Sequence, residues 1–415
     1  MHDNDPTDVL IIGAGPTGLT LACDLARRGV SHRIIERATE PSVASRAKTI
    51  QPRALEVLDD LGAAAKIVER GVVDLPTRYH DASGAVTDKP GLAVPVGNPA
   101  ETPFPDPVWI AEFDVEAALR EQHVQAGGRV EFGADATGLH QDVDGVTVDV
   151  TTERGAQTIR ARYVVAADGG KSRIRKIVGL PLAGETYANQ RWYLGDVQAP
   201  GLDRGHIHIW TSEGGMLGLT PLPSTDIWQL QSAIPADAVE PAEPSLEFYQ
   251  AMLDDRAGPG VVTLTNATWL SVYRVNVRMV ERYRNGRVFL AGDAAHVHSP
   301  AGGQGMNTGI QDAYNLGWKL AAVLGGADAA LFDSYNEERL PVARAVLEDS
   351  TRKMQRALGT VTGTSGGGLS AALADLSDDI TSGLPIAYPT SSLTVPMPAG
   401  SGEALPAGSR APNAA

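Results

Sequence analysis

Cysteine is almost missing from this chain. Cys23 is the single one in 415 residues, which excludes an internal disulfide framework and a cysteine-built metal centre. Positive charge is short as well. Lysine and arginine number 35 against 50 aspartates and glutamates, giving a formal net charge of −15. No basic block offsets that balance, and binding a phosphate backbone or an anionic lipid surface needs clustered cations. Nucleic acid and membranes are therefore not expected partners. No run of eighteen apolar residues occurs, so no membrane span is expected. The opening MHDNDPTD lacks the basic start and apolar stretch of a secretory signal. Histidines and carboxylates are not spaced as ligands, so no metal is expected. The expectation is a soluble cytoplasmic protein of two or three domains that acts on small molecules.

What is present begins at the N-terminus. Asp8 to Ile12 is a short apolar run rich in β-branched residues, as expected of a strand buried on both faces. It leads into Gly13-Ala14-Gly15-Pro16-Thr17-Gly18, then a helical pattern closed by Gly29, then a second strand ending at Glu36. In such a turn Gly13 permits the tight bend, Gly15 lets backbone approach a pyrophosphate, and Gly18 lets helix and strand pack closely. The helix start offers unpaired N–H groups and a partial positive charge to phosphate. Glu36 lies about twenty residues on, where a carboxylate can accept from ribose hydroxyls. It would repel a 2′-phosphate, so the tightly held nucleotide is FAD or NAD. No second glycine turn of this kind follows a strand, so one dinucleotide cradle is expected.

Two further strands end in glycine and an acid. Val164 to Asp168 and Gly169 continue to Ser172 and Arg175. Val288 to Ala291 lead through Gly292, Asp293 and His296 to Pro300, and then to Gly303, Gln304, Gly305, Met306 and Asn307 at a helix start. Asp293 is placed to hold sugar hydroxyls, and the helix start suits an anion developing on a flavin ring. Elsewhere the pattern predicts a helix pair over 49–70, a proline- and glycine-rich loop over 76–108, and helices over 113–127 and 307–324. It also predicts antiparallel strands over about 181–275 and a long helix over 334–358, broken or entered near Pro341. A helix is expected at 369–382 and a linker over 396–415.

These segments resemble the class A flavoprotein aromatic hydroxylases typified by p-hydroxybenzoate hydroxylase. The likeness rests on GAGPTG with Glu36, on DGGKSRIR (168–175) and on GDAAHVHSPAGGQGMN (292–307), and it runs from about residue 8 to 395. It is nearest to bacterial polyketide and phenol hydroxylases through SRAKTIQPRALEVLDDLG (45–62) and SYNEERLPVA. The resemblance implies an α/β fold: a Rossmann-like FAD-binding domain with an inserted, mainly antiparallel substrate domain. The expected division is 1–75, 106–180 and 270–358 for FAD, 76–105 and 181–269 for substrate, and 359–415 as a C-terminal helix and linker cut short before a thioredoxin-like domain. The implied activity is hydroxylation of an aromatic, polyketide-type phenol through a flavin C4a-hydroperoxide, with FAD bound, NADH or NADPH visiting as electron donor, and O2 as co-substrate.

By the same resemblance, Glu36 and Arg37 lie at the adenosine, Asp293 at the ribitol, Pro300 beside the ring, and the backbone of Gly303 to Asn307 at its pyrimidine edge. Arg46 and Ala47 belong to a segment that follows the flavin, and Asp168 and Arg175 to one that meets FAD and the nicotinamide donor. The flavin carries the chemistry, so no catalytic residue is assigned; Arg46 and Pro300 are candidates beside the ring, and His206, His208, Arg78 and Tyr193 are candidates for a base or cation near a phenol. Glu112 stands where relatives often carry glutamine or arginine near the ribityl–phosphate region, so the contact must be rearranged there or the alignment shifted.

The antiparallel segments must roof the ring, because the oxygenating species is lost to water. Alternation puts His206, His208 and Trp210 on one face, while Trp228 alternates with Gln229 and Gln231 on another strand. Tyr193, His206, His208, Trp210 and Trp228 are the substrate-side candidates, with Arg78 as a further charge near a phenol. His296 reads as part of the fold near the cofactor. A Baeyer–Villiger or epoxidising oxygenase on the same scaffold, a flavin-binding module without turnover, and an NAD-dependent dehydrogenase remain alternatives.

Overall fold

The computed structural model describes residues 7–90, 101–212, 215–235, 241–298, 303–361, 379–395 and 406–411. The chain opens with β1 (Thr7–Ile12), α1 (Pro16–Arg27), β2 (His32–Glu36), β3 (Thr49–Ile50), α2 (Pro52–Asp60) and α3 (Ala64–Arg70). Next come β4 (Thr77–His80), β5 (Val86–Lys89), β6 (Val108–Trp109), α4 (Glu112–Gln125), β7 (Val130–Phe132), β8 (Asp135–Gln141), β9 (Val146–Thr152), β10 (Gly155–Ala166) and α5 (Arg173–Ile177). The middle of the chain forms β11 (Ala183–Gln198), β12 (Ile207–Ser212), β13 (Gly215–Pro221), β14 (Ile227–Ile234), α6 (Leu246–Ala257) and β15 (Thr265–Met279). It closes with β16 (Arg284–Asn285), β17 (Val288–Leu290), β18 (His296–Val297), α7 (Gln304–Leu324), α8 (Asp333–Val361) and α9 (Asp379–Ser382).

Two large sheets result. The first runs β16-β17-β10-β1-β2-β7, with β9 and β8 attached through β10. Its β17, β10, β1, β2 and β7 are parallel. Parallel strands are covered on both faces, so they need nearly continuous apolar sequence. Val9, Leu10 and Ile11, and Val164, Val165 and Ala166, supply it with no exposed surface. Helix α1 packs on this sheet against α7. Gly317 of α7 makes room for the buried Asp24, since a Cβ there would lie 2.2 Å from Asp24 Oδ2. Arg27 Nε at 2.9 Å and Arg28 Nε at 3.0 Å neutralise that carboxylate.

The second sheet runs β18-β15-β11-β14-β13-β12-β4-β5. All neighbours are antiparallel except β12 and β4. One face carries Tyr193, Trp210, Leu217, Leu219, Trp228 and Leu230, buried with Tyr249 and Leu253 of α6. The parallel sheet beside an antiparallel one is the architecture the sequence implied.

Four differences from the sequence expectation stand out. Residues 76–108 are more than loop, because β4 and β5 extend the second sheet. Every residue of β5 is exposed, so no apolar alternation marked it. Helix α6 interrupts a stretch read as strands. Its signals were Ser245, whose hydroxyl accepts from Phe248 N at 3.1 Å, and the buried stripe Tyr249, Met252 and Leu253. Helix α8 passes through Pro341 without ending. The second sheet also reaches Met279 and takes in His296–Val297, beyond the boundary expected at 270. Of the helix expected at 369–382, residues 379–382 are helical and 369–378 lie outside the described residues. Among the described residues no helix is long and apolar enough to cross a membrane.

A buried ion pair ties α7 to α8. Lys319 Nζ lies 2.7 Å from Glu338 Oε2, both nearly without exposure, and Asn315 and Ser391 also donate to that carboxylate. Removing one partner strands the other charge. Lys319→Met should lower stability by about 3 kcal/mol in denaturant unfolding, and an unchanged midpoint would show the pair to be energetically silent.

Candidate functional site

The ends of β1, β10 and β17 meet at one place. Gly13 has φ +104°, and a Cβ on it would lie 2.3 Å from Ala167 O, so the turn after β1 touches the end of β10 backbone to backbone. A Cβ on Gly18 would lie 2.0 Å from Gly13 O, which presses α1 onto its own turn. Gly15 differs: the nearest atom to a Cβ there is Glu116 Oε1 at 3.9 Å. Its missing side chain leaves open space rather than a packing contact. Gly15 caps α1 without a side-chain bond and Pro16 follows at the first helical position, so the following first-turn N–H groups have no helical acceptor. Thr17 is wedged at the third junction, its Oγ1 lying 2.5 Å and 2.3 Å from where a Cβ on Gly292 and Gly309 would stand.

Carboxylates ring this space. Glu36, at the end of β2, accepts from Ala14 N (2.9 Å) and Ala38 N (3.0 Å), with Arg37 exposed between them. Asp168 accepts from Arg173 N (2.8 Å) and Ile174 N (3.3 Å) through Oδ2, while Oδ1 is buried without a partner. Arg175 is buried and donates to Gly170 O (2.9 Å) and Ala294 O (3.0 Å), tying the second strand end to the third. Asp293 is open to the cleft, yet protein crowds it on the other sides. That burial pushes its carboxyl up against the pull of His296 and Arg46. A Cβ on Gly305 would stand 3.8 Å from Asp293 Oδ1 and 3.7 Å from His298 Nδ1.

Helix α7 begins at the same cleft. Gly303, in the left-handed region at φ +62°, gives it no side-chain cap. The Gln304 and Asn307 side chains turn into the protein: Gln304 donates to Thr381 O at 2.8 Å, and Asn307 bonds Gln51 N (2.8 Å), Thr49 O (3.1 Å) and Gly303 O (2.7 Å). What this turn offers the cleft is backbone N–H, with Met306 half-buried beside it. Pro300 lies outside the described residues.

Glu112 clamps the loop that carries Arg46. Its Oε2 accepts from Arg46 N and Ala47 N, both at 3.0 Å, and its own N–H donates to Ser45 Oγ at 2.9 Å. Burial raises the Glu112 carboxyl, and raises Glu116 to about 8 with the Glu112 charge adding to it. The exposed Arg46 side chain counteracts the rise at Glu112, Glu116 and Asp293 alike. The carboxylate at Glu112, where repulsion was expected, is engaged with the backbone N–H groups of Arg46 and Ala47 and faces the Arg46 charge. His296 is buried and bonds Asp312 at 2.7 Å, as expected of a structural residue.

The donor set fits FAD. Free N–H groups beside the open Gly15 would hold a pyrophosphate, Glu36 and Asp293 would hold sugar hydroxyls, and the uncapped α7 would face an electron-rich ring edge. The unpartnered Asp168 Oδ1 is a further acceptor for a hydroxyl or an amide.

The substrate-side candidates are corrected. Strand register puts Tyr193 and Trp228 on the same face as His208 and Trp210, and that face is sealed under α6. The Tyr193 hydroxyl accepts from Ala242 N at 2.8 Å, and His208 bonds His80 at 3.0 Å. His206 sits at the sheet edge, 2.7 Å from Asp203, where Arg78 pairs with Asp88. The opposite face turns toward the cleft. There Asp196 Oδ2 accepts from Ser45 N (2.9 Å) and Gln229 Nε2 donates to Ser45 O. Alternation within one strand pairs His208 with Trp210; which face of the sheet is covered is set by α6, whose apolar stripe Tyr249, Met252 and Leu253 is the signal for it.

Comparison with known proteins agrees with this geometry. A family model described as FAD binding domain matches residues 6–350. A flavin-dependent monooxygenase of Mycobacteroides abscessus is 43% identical over 351 residues, covering 83% of this chain and 73% of that protein. Rifampicin monooxygenase of Streptomyces venezuelae is 37% identical, covering 84% and 71%. Among solved structures, the flavin-dependent monooxygenase PieE in complex with FAD and substrate superposes with a TM-score of 0.82 at 26% identity, covering 98% of this chain and 80% of that one.

Two outcomes follow from the cradle. Gly15→Val should leave the unliganded fold intact yet weaken FAD binding at least about tenfold, about 1.4 kcal/mol, in a flavin-fluorescence titration, whereas Gly18→Val should not fold. If Gly15→Val bound FAD normally, the pyrophosphate would not lie over this turn. For Glu116, a carboxyl pKa raised on folding means the folded state holds the extra proton. Stability is therefore lost as pH climbs from the ordinary carboxylate range toward 8, with a slope of at most about 1.4 kcal/mol per pH unit. Glu116→Gln should flatten that slope in unfolding curves of the apoprotein; a slope identical to that of the unaltered chain would refute the assignment.

Proposed function

Because this chain belongs to the FAD binding domain family, we propose that it is an FAD-dependent, NAD(P)H-consuming monooxygenase that hydroxylates an aromatic small molecule with O2. The observation that carries the reading is the convergence of three strand ends and two uncapped helix starts beside the face of an antiparallel sheet opposite α6. When bound, FAD supplies hydride acceptance and oxygen activation. The chain's own work is to hold the nucleotide, place the aromatic and keep water out.

The N–H groups at Gly15 to Gly18 bind the pyrophosphate. Glu36 orients the ribose, Asp293 orients the ribitol, and the start of α7 stabilises negative charge at the ring edge. Arg46 balances the acids, so the cradle can accept an anionic cofactor. The second sheet closes the cleft and supplies the substrate wall through its face opposite α6. In domain terms, 1–75, 106–180 and about 280–358 hold FAD, while 76–105 and 181–279 hold substrate. The substrate class is a polycyclic phenol. The relative named 6-methylpretetramide 4-monooxygenase (36% identical) supports the polycyclic part of that reading, and pentachlorophenol 4-monooxygenase (36% identical), named for a one-ring phenol, supports only the phenol. A reducing cytoplasm suits both the nicotinamide supply and the lone buried thiol of Cys23.

The test is to mix FAD-loaded protein with NADH or NADPH, oxygen and a panel of phenols. The expected outcome is cofactor oxidation accelerated by a phenol, with a product one oxygen atom heavier by mass spectrometry. Oxidation that no aromatic accelerates, with no oxygenated product, would defeat the reading and favour a flavin-binding module.

A further inference from the structure

Lys48 belongs to the loop that carries Arg46, but its side chain crosses to the second sheet. Its Nζ donates to Thr220 Oγ1 on β13 at 3.1 Å and to Gln231 Oε1 on β14 at 3.3 Å. The sheet register places these acceptors in one polar patch with Asp196 and Gln229: Gln229 pairs with Asp196 on one side and with Thr220 on the other. Gln229 Nε2 and Asp196 Oδ2 both bond the backbone of Ser45, while Asp196 Oδ1 is buried without a partner. Lys48 is the cation of this patch and is engaged only with side chains, and an ammonium has three N–H donors, of which two are used.

The surroundings are apolar. By register, Trp192, Leu194, Met216 and Trp269 lie on the same face as Asp196 and Gln231. The Trp192 indole N–H is buried there without an acceptor. Burial disfavours a charged lysine, and the Lys48 amine is lowered to about 8, with Asp196 pulling the other way. Asp196 itself is raised to about 6 by burial, held back first by the Ser45 N–H and then by Lys48, while Glu112 across the loop adds to the rise. An amine between a carboxylate and an aromatic wall is equipped to take a proton and then keep the resulting charge.

We propose that Lys48 activates the substrate: its amine takes the proton of a phenolic or enolic hydroxyl lying on this sheet face, then holds the oxyanion. In that step the O–H bond breaks, the N–H bond forms, and the electron pair stays on oxygen; no other reactant is needed. Asp196 remains as counter-ion to the new ammonium. The inference rests on the hydroxylation reading and narrows it, since the substrate must carry a free acidic hydroxyl whose ionised form pushes electron density into the ring to be oxygenated.

The test needs no turnover. FAD-loaded protein is titrated with 4-nitrophenol and with the tricyclic phenol alizarin, both of which change colour on ionisation, across a pH series without nicotinamide. The unaltered chain should bind them as oxyanions, with the bound hydroxyl pKa lowered by about one unit, a tenfold preference. Lys48→Met should abolish that preference while leaving FAD fluorescence and 4-nitroanisole binding unchanged. Lys48→Arg should restore oxyanion binding through its fixed charge. Oxyanion binding by Lys48→Met equal to that of the unaltered chain, or neutral binding by the unaltered chain, would overturn the role of Lys48 even where phenol-dependent oxygenation proceeds. Intact oxyanion binding with no oxygenation of any aromatic would instead sink the hydroxylation reading and leave Lys48 as a binding cation.

Discussion

Backbone touching backbone is the constraint on which this molecule depends. At Gly13 the chain passes so close to Ala167 that no side chain can stand between them, and at Gly18 the helix rests on the carbonyl of its own turn. Both contacts follow from the requirement that β1 and β10 run parallel and adjacent and end at the same level. Once they do, the free N–H groups of α1, the acceptor Asp168 and the Gly292 turn are brought into one small volume. The cradle is therefore a property of strand alignment, and the glycines are what alignment demands.

Charge in that volume is arranged against expectation. A chain of net −15 gathers Glu36, Glu112, Glu116 and Asp293 around the place meant for a pyrophosphate. Two devices make this tolerable. Burial pushes the carboxyls of Glu112, Glu116 and Asp293 upward, Glu116 to about 8. Helix ends and Arg46 supply the positive potential. Selectivity against a second anion in the same cleft comes with the arrangement, because little positive potential is left once one dinucleotide is held.

The nucleotide side was legible because its signals are local. A strand, a glycine turn and an acid at fixed spacing describe Gly13, Gly15, Gly18 and Glu36 without knowledge of anything far away, and the same holds for Asp168 and Asp293 at their strand ends. The substrate side was not legible in this way. Alternation put His208 and Trp210 on one face of their strand, yet the register that adds Tyr193 and Trp228, and the covering by α6, are set by segments distant in sequence. The role of Glu112 was also hidden, since it is set by contacts with Arg46 and Ala47 sixty-five residues or more away in sequence. Short strand β5, fully exposed, carries no pattern to read.

Ser45 makes contacts of another kind. Its N–H and C=O are held by Asp196 and Gln229 of the second sheet, while its hydroxyl accepts from the start of α4. One residue thus stitches the nucleotide half to the aromatic half. A graft that replaced the second sheet by that of another protein would have to carry matching partners for this serine, or the two halves would lose their common reference point.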